Sequence, residues 1–145
     1  MNIQTLQVLP AQYPGYSFYY PLGSIIEVRN GDTVRITVGY SYRGPAKTLA
    51  LYGAIGVQAV WFDEKVNASR QISLPESTSW ITRSDYVDIA IDTTKIAAGS
   101  GYEIYAKIME GNSDLAISPV VYDVITVLSA AAEFQNFQIS TWAKV

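Results

Sequence analysis

The acidic side chains come first, because most other catalytic groups are missing. The chain has no cysteine and no histidine. Thiolate nucleophiles, disulfides and Cys/His zinc sites are therefore excluded, as are Ser-His-Asp and Cys-His catalysis. The remaining candidates are Asp63 with Glu64, and the group Asp85, Asp88 and Asp92. A glycosidase needs two carboxyl groups facing each other across a cleft, and no spacing here sets up such a pair. Calcium wants several loop oxygens, yet no Asp-x-Asp-x-Asp-Gly loop occurs. These acids read as solvated turn residues. No catalytic residue, metal site or cofactor is expected, and the chain is not expected to be an enzyme.

Aromatic side chains are the second source of chemistry. Tyr13-Pro14-Gly15-Tyr16-Ser17-Phe18-Tyr19-Tyr20-Pro21 packs five aromatics between prolines. It is apolar enough to bury, but proline cannot donate to a central ladder. Three readings stay open: an arm folded back over its own domain, an arm docking on a neighbouring subunit, or a platform that stacks on sugar rings. Trp61 is expected in the core, since large aromatics usually pack there. Trp142 is expected at an interface or in terminal packing. Asn67-Ala68-Ser69 matches a glycosylation sequon, which has little weight without a secretion signal.

The elements that must hold these residues read as strands. Asn30-Gly31-Asp32 is a turn signal. After it Val34, Ile36, Val38 and Tyr40 alternate with Thr33, Arg35, Thr37 and Gly39, the period of a half-buried strand. Residues 24–29 read as its hairpin or sheet partner. Residues 48–62 suggest two strands meeting at a bend or bulge near Gly53 and Gly56. A helix over 49–61 is disfavoured by the two glycines. Further strands are expected at 70–74, stopped by Pro75, and at 85–91, 101–109, 119–128 and 134–145.

Composition bounds the rest. The 145 residues suit one domain. Half are hydrophobic (49%) and only 16% are charged, which gives a sizeable core and argues against disorder. The net charge is −3, and the ten Lys and Arg are scattered. Phosphate binding needs clustered cations, so nucleic acid is not an expected partner. No apolar run approaches a membrane span. The N-terminus lacks the cationic-then-apolar pattern of a signal peptide, so synthesis in the cytoplasm is expected.

About residues 24–128 resemble bacterial immunoglobulin-like and fibronectin-type-III-like domains. The residues 30–38, Asn-Gly-Asp-Thr-Val-Arg-Ile-Thr-Val, look like the turn and early core strand of such domains. Ile89-Ala90-Ile91 and 96–102, ending Gly99-Ser100-Gly101-Tyr102, are similar to the tyrosine corner, with Tyr102 as the capping residue. The resemblance implies an all-β immunoglobulin-like antiparallel β-sandwich. It also implies display, spacing or adhesion in surface proteins or in phage tails and capsid decorations.

The expectation is therefore one domain: an N-terminal arm (1–22), a β-sandwich (23–128) and a C-terminal extension strand (129–145). It would be a structural protein of a virion, such as a capsid decoration or tail protein of a bacterial virus, and a homo-oligomer or a lattice component. It would associate through Tyr16, Phe18, Tyr19 and Tyr20 at one end and Phe134, Phe137, Ile139 and Trp142 at the other. Deleting residues 1–20 is expected to leave a folded sandwich that no longer assembles. The alternatives are a carbohydrate-binding module, or a subunit of an extracellular filament joined by strand exchange.

Overall fold

The computed structural model describes residues 1–129. The expected strand at 134–145 and the candidate interface residues Phe134, Phe137, Ile139 and Trp142 lie outside them.

Among the described residues the chain is all-β, with ten strands and no helix. The strands are β1 (Asn2–Leu9), β2 (Phe18–Pro21), β3 (Ile26–Val28), β4 (Thr33–Gly44), β5 (Lys47–Gln58), β6 (Phe62–Leu74), β7 (Ser77–Ala90), β8 (Gly99–Glu110), β9 (Ser113–Ile117) and β10 (Val121–Val127). They form a four-stranded sheet in the order β2-β1-β4-β7 and a six-stranded sheet in the order β3-β10-β8-β5-β6, with β9 paired to β8. All pairs are antiparallel except β3 with β10. The larger sheet curls into a half-barrel.

Alternation explains why the sheets meet. Val34, Ile36 and Val38 of β4 point inward and are fully buried, as their period predicts. Val87 and Ile89 of β7 and Leu6 and Val8 of β1 extend that face. Opposite them stand Leu51 and Ile55 of β5, Ile104 and Ala106 of β8, Ile125 and Val127 of β10, and Ile26 and Val28 of β3. All belong to one core cluster. Each large side chain removed from water contributes about 1.5–3 kcal/mol. The result is sandwich-like.

Several expectations change. Residues 1–22 are not an arm outside the sheets. β1 is an inner strand of the smaller sheet, between β2 and β4, because Ile3, Leu6 and Val8 supply an apolar face. Deleting residues 1–20 would remove that strand, so the truncated chain is expected to unfold. Residues 24–29 are not a hairpin partner of β4: β3 pairs with β10 in the other sheet. The turn between them is a corner from sheet to sheet. The Asp32 carboxylate accepts the backbone N–H of Ala11 (2.9 Å) and of Arg29 (2.8 Å) there. The Asn30 side-chain oxygen accepts from Thr93.

Residues 47–58 form one strand, not two. Gly53 marks a close approach of the sheets: a Cβ there would lie 2.7 Å from Val87 Cγ1. Gly56 faces the bulge between Ile55 and Gly56, where a Cβ would meet the Asp63 carbonyl at 2.0 Å. The Tyr102 hydroxyl donates to the Ala97 carbonyl at 2.6 Å, tying β8 to the turn before it.

Candidate interaction surfaces

The acids singled out by sequence are engaged with neighbours; only Asp88 and Asp92 share a cleft, which Lys65 and Lys95 also line. Asp88 holds Arg35 in a two-point pair, 2.7 and 2.9 Å. Asp85 accepts the Tyr40 hydroxyl at 2.6 Å and lies 3.7 Å from Arg70. Asp63 pairs with Lys65. Asp92 accepts the N–H and hydroxyl of Thr94, and those bonds hold its carboxyl below the ordinary value. Among the described residues no group of three or more Asp or Glu gathers as a metal site would need. No described helix is long and apolar enough to cross a membrane.

Glu64 is the acid that sequence reasoning undervalued. It accepts the hydroxyls of both Tyr52 and Tyr105, and Asn67 donates to it at 3.2 Å. Burial first, then the bond to Glu64, pushes both tyrosine hydroxyls well above their ordinary value. The cluster joins β5, β6 and β8 on the outer face of the larger sheet. Its sequence signal was the outward register of Tyr52 and Tyr105 opposite buried neighbours. The β5–β6 bulge that delivers Glu64 is a tertiary feature.

The two lateral sides of the fold differ sharply. On one side run β6 and β7, the end strands of the two sheets. Arginines close this side. Arg70 donates to the Tyr86 carbonyl and Arg83 to the Ser73 carbonyl, each at 3.4 Å. The Tyr86 ring is held between the Arg35 and Arg70 guanidiniums, 3.9 and 4.1 Å from its centroid. Charged groups on an edge discourage pairing with another chain.

On the other side run β2 and β3. Phe18 pairs with Val8 and so faces inward, yet it is 48% exposed while Val8 is buried. Ile25, in the crossing from β2 to β3, is 60% exposed, and Leu22 is exposed beside it. Tyr20 also faces inward and packs on the core. Tyr19 faces outward at 71% exposure, and the Tyr16 side chain is exposed in the loop before β2, where its N–H donates to the Tyr13 carbonyl at 3.1 Å. No Asp, Glu, Lys or Arg precedes Glu27, so nothing charged guards this side from the N-terminal segment.

A third apolar feature is the β5–β6 hairpin tip. Val60 and Trp61 project there, and Trp61 is 72% exposed. Its expected place in the core is thereby corrected: the turn at 59–61 carries it past the end of the sheet. Trp80 is also exposed, with Arg43 4.6 Å from its ring centroid. No protein-family model matches the chain, and no curated protein matches it.

Proposed function

We propose that the chain is a non-enzymatic structural protein that associates with other protein surfaces through the β2 side of the fold. The observation that carries this reading is the run of exposed apolar and aromatic side chains between residues 16 and 25: Tyr16, Phe18, Tyr19, Leu22 and Ile25. Exposed apolar clusters of this kind mark interaction sites. Among the described residues β2 pairs on one side only, with β1, and a short edge strand of that kind offers backbone groups to a partner. The finer fold assignment, an immunoglobulin-like sandwich, belongs to the same proposal and is supported by the bond from Tyr102 to Ala97. So does the assembly that the resemblance implies, a virion of a bacterial virus with this chain as capsid decoration or tail component.

Light scattering of the full-length protein over a concentration series tests association. Growth to a defined oligomer that Tyr16→Ser with Tyr19→Ser abolishes supports it. A monomer at every concentration, with no binding to a preformed lattice, counts against it.

A second reading, sugar binding, has one specific support. Tyr19, Gln7, Arg35 and Asp88 stand in one row across the outer face of the smaller sheet. Three strand spacings make that row about 14 Å long. Within that row the Tyr19 ring and the Arg35–Asp88 pair are accessible while Gln7 is buried between them, and a ring with charged hydrogen-bonding groups beside it suits a saccharide. Titration of a glycan panel, read by tyrosine and tryptophan fluorescence, decides it. A flat response across the panel removes this reading.

A further inference from the structure

We propose that the cleft between β6 and β7 binds one ring of a neutral saccharide, with Lys95 donating to its hydroxyls and Asp92 accepting from them. This rests on the sugar-binding reading and deepens it, by naming the ligand class and a site that the row from Tyr19 to Asp88 leads into.

The cleft follows from how the two end strands leave their turn. Near the turn at 75–76, bonds from Arg83 to the Ser73 carbonyl and from Arg70 to the Tyr86 carbonyl bridge the sheets. Farther from the turn, residues 65–68 of β6 and Asp88 and Ala90 of β7 line a cleft of about 370 Å³, together with Asp92 and Lys95 beyond the end of β7. Small-molecule sites run from about 300 to 1,000 Å³. The cleft stands near the lower end of that range, which suits a single ring better than a long chain.

Charge selects the ligand. The lining holds two lysines and two aspartates, so its formal charges cancel. Asp88 holds Arg35 through both oxygens, and Lys65 pairs with Asp63. Asp92 takes both Thr94 bonds on Oδ1. Among the described residues that leaves the Lys95 ammonium, which has no ion pair, and the second Asp92 oxygen. The Asn67 amide donates to Glu64 at 3.2 Å and keeps its oxygen for an outside donor. A saccharide hydroxyl both donates and accepts, so it answers all three groups. An anion would meet the carboxylates and a cation the lysines, each at the cost of like-charge contact.

The remaining lining is apolar. Val66, Ala68 and Ala90 border the same cleft and give the C–H face of a sugar ring a surface on which to shed water. Asp88 belongs both to this cleft and to the row across the smaller sheet. A chain whose end ring sits in the cleft would therefore pass Arg35 on its way to Tyr19.

Amide-resolved NMR titration of the full-length protein tests this. The probes are methyl glycosides of glucose, galactose, mannose and N-acetylglucosamine, with oligosaccharides of the same sugars. Glucuronate and glycine serve as anionic and zwitterionic comparisons. At least one neutral glycoside should shift amides within 65–68 and 88–95. Lys95→Met should weaken that binding about tenfold, as the loss of a hydrogen bond from a charged group implies. Ala90→Leu, which fills the cleft, should abolish it. Both substitutions are at exposed positions, and unchanged spectra without ligand will show that the fold is kept. Tyr19→Ser should leave single-ring glycosides unaffected and weaken only the oligosaccharides. Oligosaccharide binding that Tyr19→Ser weakens and Ala90→Leu leaves intact would overturn the cleft while keeping the sugar-binding reading. Shifts confined to other amides would do the same. Silence from every neutral sugar would end both. Tighter binding of glucuronate or glycine at 65–68 and 88–95 would overturn the neutral class.

Discussion

The β6–β7 side and the β2–β3 side solve the same problem in opposite ways. Each is a place where two sheets end and backbone groups lose their partners. β6 and β7 are 13 and 14 residues long, and guanidiniums of Arg70 and Arg83 bond to carbonyls across the gap between them. β2 and β3 are only four and three residues long, and among the described residues their side is apolar and carries no further strand. A long edge is a standing risk of unwanted pairing and needs charge to block it. A short edge can be left for a chosen partner. The difference sets a charged side, bridged from sheet to sheet, against an apolar one.

The largest test of this contrast removes what both sides lean on. Leu6, on β1, is buried between them; Leu6→Ala should cost about 2–5 kcal/mol in denaturant unfolding. A loss below about 1 kcal/mol would mean that β1 is dispensable and the N-terminal residues are an arm after all. Next is Gly53→Ala, which puts a methyl against Val87 and should cost about 1–3 kcal/mol by overpacking. A neutral result would mean that the sheets have room to separate.

The closed side should respond more weakly, because its charges are partly exposed. Arg70→Ala removes the contact with Tyr86 and should cost about 0.5–1 kcal/mol. A double-mutant cycle on Arg35 and Asp88 should give a coupling of about 0.2–1 kcal/mol that shrinks in high salt. Coupling that is insensitive to salt would assign the pair to packing instead.

This side should also loosen in alkali. Burial, then the bond to Asp85, pushes the Tyr40 hydroxyl up to about 12, against about 10 in an unfolded chain. The folded state thus holds this proton more tightly. That stabilisation is complete below about pH 10 and is lost as pH rises through the folded value, toward 12. Denaturant midpoints measured from pH 9 to 12 should fall across that window. The fall should be smaller in Tyr40→Phe; an equal fall would place the titrating group elsewhere.

The smallest effect should be at Tyr19 on the open side. Tyr19→Ser should change stability by no more than about 0.5 kcal/mol while weakening any association seen by light scattering. A large stability loss would make Tyr19 part of the fold and not of a surface.

Period and residue type were enough, without any structure, to settle some of the molecule. Val34, Ile36 and Val38 had to face a core because alternate residues share a face. The absence of histidine and cysteine removed whole classes of chemistry before any fold was known. Gly53 and Gly56 were legible as special positions, though their role was not. A glycine says that a Cβ is unwelcome, and only the opposing Val87 and the Asp63 carbonyl say why. Local pattern could not distinguish a hairpin from a corner at Asn30-Gly31-Asp32, because both use the same turn residues. The corner is fixed by bonds donated from Ala11 to Asp32 and from Thr93 to Asn30, both pairs distant in sequence. In the same way, Ile3, Leu6 and Val8 announce a buried face, but their partners on β4 lie some thirty residues further along the chain. Which strands pair, which acids meet tyrosines and which side stays open depend on such long-range contacts, and only the tertiary structure decided them.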